Sequence, residues 1–182
     1  MNIDTPKKNS YNPKKHHRRS IRLKEYDYSQ VGLYFITLVC EKRIHRFGEI
    51  KNGKILLNEY GQFAFDEWIK LPERFSKFKI NEFQIMPDHF HSIIELVGAK
   101  NQNINESVGA TLAVAQNQSI AEIIGAYKSL VSNGCLVIYK SKNIIMGKLW
   151  QRNYYEHIIR NDLSCTSISN YIINNPLNWA EK

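Results

Sequence analysis

The sequence has few of the features that mark secreted, membrane-spanning and zinc-binding proteins. Its three cysteines, Cys40, Cys135 and Cys165, are far apart and form no CxxC pair, which argues against a disulfide framework and a cysteine zinc site. No run of about 18 or more apolar residues occurs, so no membrane-spanning helix is predicted. The N-terminal segment has no apolar core of the kind found in secretory signals, and we therefore expect a cytoplasmic protein.

Acidic residues are also fewer than basic residues. The 182 residues carry 25 Lys and Arg against 17 Asp and Glu, which gives a formal net charge of +8. This balance favours a polyanionic partner, with nucleic acid as the first interpretation and an anionic membrane surface as the second. No GxxxxGK[ST] phosphate loop occurs, so nothing in the sequence predicts a nucleoside triphosphate site.

Charge and composition distinguish an N-terminal arm, a domain and a loop within that domain. Residues 1–20 are polar and basic and are predicted to form a flexible arm, whereas residues 21–182 are predicted to form a single domain. Within that domain, residues 97–118 are rich in Asn, Gln, Ala, Gly and Val, which is typical of an insertion loop. The basic residues crowd into and just after the arm: Lys14, Lys15, Arg18, Arg19, Arg22 and Lys24.

The first half of the domain contains strand and hairpin signals. "GLYFITLVCEKR" (32–43) is aromatic and β-branched, which predicts a buried strand. "RFGEIKNGKILLN" predicts a hairpin with Asn52-Gly53 at its turn. "FKINEFQIMPDHFHSIIEL" is interpreted as two strands separated by a brief break.

Three helices are predicted from their caps and apolar spacing. Asn58 is expected to cap the first, with Phe63, Trp68 and Ile69 on its apolar face. Ser119 and Glu122 form a capping-box pattern for the second, and "CLVIYKSKN" after it fits a strand or a helix extension. For the third, Asp162 is the predicted cap and Pro176 the predicted end.

The order of these elements favours an α+β fold. A final strand is predicted within "LWQRNYYEHIIRN", and the strands and helices follow no strict βαβ rhythm. This pattern indicates a central antiparallel sheet with helices packed mainly on one face.

The stretch "MPDHFHSIIEL" is the first candidate for chemistry. Residues two apart in a strand point to the same face, so His89 and His91 would project side by side while Phe90 enters the core. Two adjacent imidazoles suit a divalent metal. The alternative is a strand with two partly exposed histidines and no metal.

A catalytic metal commonly takes a third protein ligand and leaves a position for substrate. Tyr171 and Asn175 are four residues apart and are predicted to share one helical face. Asn175 also precedes Pro176, which disfavours the α conformation at that residue. The spacing leaves other candidates for the third ligand open: His157, Asp88 and Glu95.

Tyr171 has a second potential role. A tyrosine hydroxyl can attack a phosphodiester and form a covalent phosphotyrosine, although its ordinary pKa of about 10 makes it a weak nucleophile at neutral pH. A nearby divalent metal would assist by polarising the phosphate. Because the chain has ten tyrosines, most of them must be packing residues.

Five motifs in the order of one family strengthen this interpretation. "MPDHFHSIIEL" resembles the histidine-hydrophobe-histidine strand of the HUH nucleases, and "RRSIRLKEYDYSQVGLYFITL" resembles the N-terminal segment of REP-associated tyrosine transposases, a branch of the single-tyrosine, IS200-like transposases. "AEIIGAYKSLV", "LWQRNYYEHIIRND" and "YIINNPLNW" are similar to later blocks of that family. The resemblance covers most of the chain.

The resemblance implies a ferredoxin-like form of the α+β fold and a role for each candidate residue. It implies that His89 and His91 bind Mg²⁺ or Mn²⁺, that Tyr171 is the nucleophile and that Asn175 is the third, polar ligand. Tyr154 and Tyr155 are the rivals of Tyr171, and they are better placed as packing or DNA-contact residues.

The resemblance also implies a DNA substrate. Family members cleave single-stranded DNA beside hairpins, become linked to the 5′ side and release a 3′-OH that allows strand transfer. The basic segment from Lys14 to Lys24 is then the predicted clamp on a hairpin stem. Unpaired bases are predicted to stack on Tyr26, Tyr28 and Tyr34, and phosphates to contact Arg152 and Arg160. A monomer is favoured over a dimer that exchanges helices.

Two other functions remain open at this point. The first is a non-catalytic nucleic-acid-binding protein derived from a transposase, which would use the basic arm alone. The second is a small metal-dependent hydrolase of another type, which would turn over substrate without a covalent DNA adduct. The "VGATLAVAQNQ" loop is interpreted as translated repeat sequence without a chemical role.

Overall fold

The computed structural model describes residues 27–98 and 118–179. Within these ranges the strands are β1 (Gly32–Val39), β2 (Gly48–Lys51), β3 (Lys54–Leu57), β4 (Phe78–Ile85), β5 (His89–Leu96) and β6 (Tyr155–Ile159). The α-helices are α1 (Glu59–Lys70), α2 (Ile120–Ser141) and α3 (Asp162–Ile173), and short 3-10 turns cover Glu41–Arg43 and Leu71–Glu73. The basic residues from Lys14 to Lys24, Tyr26 and most of the predicted insertion loop lie outside the described residues.

A four-stranded antiparallel sheet forms the centre of the fold. Its strand order is β4-β5-β1-β6, so β5 and β1 are the two inner strands. Gly32 pairs with Leu96 and Val39 with His89 along the full length of the two inner strands. This sheet and its three helices confirm the predicted α+β class.

The predicted hairpin forms a separate two-stranded sheet of β2 and β3. Lys51 pairs with Lys54, which leaves Asn52 and Gly53 as the two-residue turn. Both residues have positive φ, 52° and 69°, as the favoured tight hairpin turn requires. The Asn-Gly signal in the sequence therefore located this turn correctly.

The first two helices begin where their caps predict. The Asn58 side chain accepts hydrogen bonds from two backbone N–H groups of α1, and Ser119 and Glu122 form the complete capping box of α2. The apolar face of α1 differs from the prediction in one residue. Trp68 is fully buried, but Ile69 is 47% exposed because the buried positions fall at Gly61, Ala64 and Trp68. "CLVIYKSKN" extends α2 and does not form a strand.

The predicted cap of α3 and the predicted helical position of Asn175 need correction. Asn161 is the cap, since its side chain accepts a hydrogen bond from the Ser164 N–H, and Asp162 is the first helical residue. The helix ends at Ile173, so Asn175 lies in the turn that follows and does not share a helical face with Tyr171. The Asn-Pro bond explains the early end, because a residue before proline disfavours the α conformation.

The central sheet separates two apolar clusters. On one face, α1 and α2 pack on the sheet around Trp68, Phe90 and Tyr127, whose rings lie 4.7 to 5.4 Å apart. On the other face, α3 contributes Ile172 to a smaller cluster with Ile93 and Ile159. The two helices on one face agree with the predicted packing, while α3 covers the opposite face.

None of the helices within residues 27–98 and 118–179 has both the length and the apolar character needed to cross a membrane.

Candidate active site

The two histidines stand at the start of β5 because the preceding turn is tightly anchored. Across that turn, the Met86 N–H donates to the His89 carbonyl at 2.8 Å. The Pro87 carbonyl accepts from the N–H groups of Arg46 and Phe47, and the Asp88 carbonyl accepts from that of Cys40. This loop is therefore held by neighbouring segments, which places His89 and His91 on a rigid strand end.

The alternation of β5 separates the histidines from Phe90 as predicted. Phe90 packs on Trp68 on the α1 and α2 face, whereas the rings of His89 and His91 lie together with centroids 4.5 Å apart. Both histidines are largely buried, at 8% and 4% exposure. The predicted placement of two imidazoles side by side is thus observed.

Each imidazole is oriented through its Nδ1 atom. His89 Nδ1 donates to Asp88 Oδ1 at 2.5 Å, and His91 Nδ1 contacts the Thr37 hydroxyl at 2.8 Å. Hydrogen bonding at Nδ1 sets the ring orientation and leaves Nε2 of each ring as the atom available to a ligand. Asp88 was one of the predicted metal ligands, but its carboxylate is engaged by His89 and by Arg43 at 3.2 Å.

Burial and neighbouring charge set the protonation of this site. Burial, together with the nearby His89 and Arg43, lowers the pKa of His91 to about 3, although the Asp88 carboxylate acts in the opposite direction. Burial by itself would raise the pKa of Asp88, but hydrogen bonds from His89 and Arg43 lower it below its ordinary value. At neutral pH the Asp88 carboxylate is therefore ionised and the His91 imidazole is neutral, the form of imidazole that binds metals.

Tyr171 reaches this site from α3 of the same chain. Its hydroxyl lies 3.3 Å from His91 Nε2, and its side chain remains 51% exposed. Phe35 supports both groups, because its ring stacks on His91 at 5.4 Å and meets Tyr171 edge-on at 6.2 Å. The predicted juxtaposition of His91 and Tyr171 is thus present within one polypeptide.

A cavity of about 450 Å³ opens beside Tyr171 and His89. This volume falls within the range of about 300–1,000 Å³ typical of ligand sites. Asn175 lines the cavity although it lies beyond the end of α3. The full lining consists of Arg43, His45, Asp88, His89, Tyr171, Asn175, Asn178 and Trp179.

Four of these lining residues were not predicted as site residues: Arg43, His45, Asn178 and Trp179. Arg43 follows β1 in a strained backbone, where both Lys42 and Arg43 have left-handed φ values of 56° and 52°. Such strain in non-glycine residues often accompanies functional sites. The sequence offered only two signals, a cationic residue after the buried strand and a tryptophan after the Asn-Pro pair.

The remaining predicted site residues do not line the cavity. His157 is exposed on β6, and Glu95 pairs with Lys79 at 3.6 Å farther along β5. Tyr155 lies on the same sheet face as Phe35 and is 47% exposed. The two arginines, Arg152 and Arg160, are exposed on the segments around β6.

The aromatic residues predicted to stack on DNA have different surroundings. Tyr34 is fully buried, and its hydroxyl donates to the Gln30 carbonyl, so the prediction that it stacks on a base is wrong. Its alternation in β1 points it into the core. Tyr28 is half-buried against that core, with its ring 6.3 Å from Tyr34.

The described donors fit a divalent metal only in part. Residues 27–98 and 118–179 contain no group of three or more His, Cys, Asp or Glu side chains that could hold an ion. The available set is two imidazole Nε2 atoms and the Asn175 amide on the cavity wall. An open set of this kind suits a cation that completes its coordination with substrate oxygens.

Comparisons with known proteins agree with this architecture. An uncharacterized protein of Haemophilus influenzae (strain ATCC 51907 / DSM 11121 / KW20 / Rd) is 39% identical over 175 residues, which cover 94% of each chain. A solved REP-associated tyrosine transposase bound to a REP hairpin superposes with a TM-score of 0.58 at 20% identity, over 87% of this chain and 73% of that one. No protein-family model matches the chain.

The chain is an α+β protein with the fold of a REP-associated tyrosine transposase, so the resemblance seen in the motifs is confirmed at the level of the fold. The chain belongs to the same protein family as the Haemophilus influenzae protein.

Proposed function

We propose that this protein is a metal-dependent, single-tyrosine HUH endonuclease and strand transferase that acts on single-stranded DNA beside hairpins. The observation that carries the proposal is the 3.3 Å contact between the Tyr171 hydroxyl and His91 Nε2, next to a second oriented imidazole. A nucleophilic tyrosine must lie beside the groups that bind the phosphate it attacks. The hairpin bound by the structural neighbour supports the choice of substrate.

In the proposed reaction, the Tyr171 oxygen attacks the phosphorus of a phosphodiester. The new bond joins the tyrosine oxygen to the 5′ phosphate, and the bond from phosphorus to the 3′ oxygen breaks. The phenol proton is released, and the leaving 3′ oxygen takes up a proton to become a 3′-OH. One phosphate ester replaces another, so rejoining by a second 3′-OH needs no nucleotide cofactor.

The other residues of the site would position these groups. His89 and His91 would hold Mg²⁺ or Mn²⁺, with the Asn175 amide as the third ligand. When bound, the ion would polarise the phosphate and stabilise charge in the transition state. Asp88 and Thr37 would keep the two rings oriented, and the exposed Arg43 guanidinium would contact the phosphate.

DNA outside the cavity would be bound by the basic N-terminal segment. The net charge of +8 supports phosphate binding, and Tyr26, Tyr28 and Arg152 remain predicted DNA contacts. Because Tyr171 reaches His91 within one chain, a monomer is sufficient for the proposed site.

An adduct assay tests this function without knowledge of the target. A fluorescent oligonucleotide library with a constant hairpin stem and randomised single-stranded flanks is incubated with protein and Mn²⁺ and then resolved under denaturing conditions. Wild-type protein should form a covalent DNA adduct, and EDTA should prevent it. Tyr171→Phe should bind the library but form no adduct.

Tyr155→Phe is the matched control, because Tyr155 has similar exposure on the same sheet face and also contacts Phe35. It should retain the adduct. An adduct that persists in Tyr171→Phe and disappears in Tyr155→Phe would assign the nucleophile to β6. Hairpin binding without an adduct in any protein would favour a non-catalytic DNA-binding function.

A further inference from the structure

One wall of the cavity is aromatic and is not used by the proposed cleavage chemistry. The Trp179 ring lies 5.6 Å from the ring of His45 and 5.8 Å from that of His89. His45 comes from the segment before β2, whereas Trp179 follows the Asn-Pro turn after α3. Two distant segments therefore meet to form a surface of rings that lines the cavity.

The environment of Trp179 differs from that of the other two tryptophans. Trp68 and Trp150 are buried in the core at 0% and 7% exposure, and each contacts several aromatic rings there. Trp179 is half-buried and lines the cavity. An indole surface left open toward a polar cavity is suited to a flat, partly polar ligand.

The polar groups around this surface restrict the chemical class of ligand further. Asn175 and Asn178 line the same cavity and offer amide donors and acceptors, and Arg43, which also lines it, offers a guanidinium. A ring surface, neutral amides and a cation together match a nucleotide, whose base stacks and forms hydrogen bonds while its phosphate is anionic.

We propose that Trp179 and His45 form a stacking site for one unpaired nucleobase next to the phosphate that Tyr171 attacks, with Asn178 at the polar edge of that base. This inference rests on the proposed function, because it places the base relative to the reacting phosphate. Stacking on Trp179 would hold the strand in line with Tyr171, so Trp179 and His45 are positioning residues and do not take part in the bond exchange.

Tryptophan fluorescence measures this contact directly, because Trp179 is the most accessible of the three tryptophans. The probes are single-stranded dT12 and a twelve-unit abasic oligomer with the same phosphate backbone. Saturating dT12 should quench the wild-type emission, and the abasic oligomer should not. In Trp179→Phe the residual emission from Trp68 and Trp150 should not respond to dT12.

Affinity for the same probes, measured by fluorescence anisotropy of labelled oligomers, gives a second result. Trp179→Ala should weaken dT12 binding by roughly tenfold and leave binding of the abasic oligomer unchanged. Trp179→Phe should retain most of the dT12 affinity. The dT12 affinity of His45→Ala should fall between those of the wild type and Trp179→Ala. Ile145→Ala, at a residue that is 95% exposed, is the control and should match the wild type.

The two proposals fail in different ways. Binding of dT12 without quenching, equal dT12 affinity in Trp179→Ala, or no dT12 binding at all would overturn the stacking site. In the adduct assay, Trp179→Ala should raise the DNA concentration needed for half-maximal rate more than it lowers the maximal rate. Quenching by dT12 in a protein that never forms an adduct would retain the stacking site as a nucleic-acid site and reject the nuclease.

Discussion

The two faces of the central sheet are built from the same strands but have opposite chemistry. On the α1 and α2 face, Phe90 joins the aromatic rings of Trp68 and Tyr127 in a closed apolar core. On the α3 face, the neighbouring residues His89 and His91 are oriented by polar partners and meet an exposed tyrosine. Alternate residues of β5 therefore have different roles: those on one face stabilise the core, and those on the other face form the candidate site.

This contrast shows how a small domain can hold a polar site next to a rigid core. The histidines gain their positions from a strand that the apolar face holds in place. The α3 face has fewer buried residues, which leaves room for the cavity and for an exposed Tyr171. Changes on the two faces should therefore have separable effects on activity and on folding.

The largest effect is expected from His91→Leu on the α3 face. Loss of this imidazole should reduce the rate of adduct formation by about a thousandfold or more, since a metal commonly supplies several kcal/mol of transition-state stabilisation. Leucine has a volume similar to that of the neutral imidazole, so the free energy of unfolding in urea should change by less than about 1.5 kcal/mol. A variant that unfolds at low urea would show that His91 is primarily structural.

Phe90→Ala, one residue away, should have the opposite outcome. Removing a fully buried ring should lower the free energy of unfolding by about 3–5 kcal/mol, measured by urea denaturation. Phe65→Ala, at a ring that is 36% exposed on α1, should cost much less. Equal losses in the two variants would contradict the central position of Phe90 in the apolar core.

Asp88→Asn should weaken the metal site without removing a proposed ligand. The loss of the carboxylate beside His89 should reduce Mn²⁺ affinity by roughly 10- to 100-fold, measured by isothermal titration calorimetry. Glu95→Gln makes the same charge change on β5 away from the cavity and should bind Mn²⁺ as the wild type does. Unchanged affinity in Asp88→Asn would remove Asp88 from the site.

The same substitution should change the dependence of stability on pH. The pKa of Asp88 is lowered in the folded state, so its ionisation stabilises the protein above the unfolded pKa of about 3.9. This contribution is lost as the pH falls through the folded pKa. The free energy of unfolding of Asp88→Asn should therefore fall less steeply below about pH 4 than that of the wild type. Identical pH profiles for the two proteins would contradict this role of Asp88.

The smallest effect is expected at the start of α2, outside the cavity. Ser119→Ala removes the side-chain acceptor of the capping box and should lower the free energy of unfolding by about 1 kcal/mol. Adduct formation should not change, because Ser119 lies outside the cavity. Asn58→Ala at α1 should lower the free energy of unfolding by a similar amount. An unchanged free energy in either variant would show that this cap does not stabilise the protein.

Local sequence patterns predicted the structure correctly where interactions between neighbouring residues determine it. The Asn52-Gly53 turn, the Asn58 and Ser119 caps and the alternation of His89, Phe90 and His91 depend on a few adjacent residues, and the structure agrees with all of them. The errors at Ile69, Asp162 and Tyr34 arose where the packing partner or the residue before the helix determined the outcome.

The candidate site was predictable in its central residues and incomplete at its edges. His89, His91, Tyr171 and Asn175 were named from spacing and motifs. Arg43, His45, Asn178 and Trp179 were not, because each reaches the cavity from a loop or turn whose course no periodicity describes.

The sequence by itself determined the α+β class and the two faces of β5, because these depend on alternation, caps and composition, while Tyr171 was predicted as the nucleophile from the family motifs. Only the tertiary structure decided that α3 crosses the face of its own sheet to bring Tyr171 to His91. It also decided that the Asn-Pro turn carries Asn175 and Trp179 into one cavity with Arg43. Contacts between residues this distant arise from the packing of whole elements, which no local pattern records.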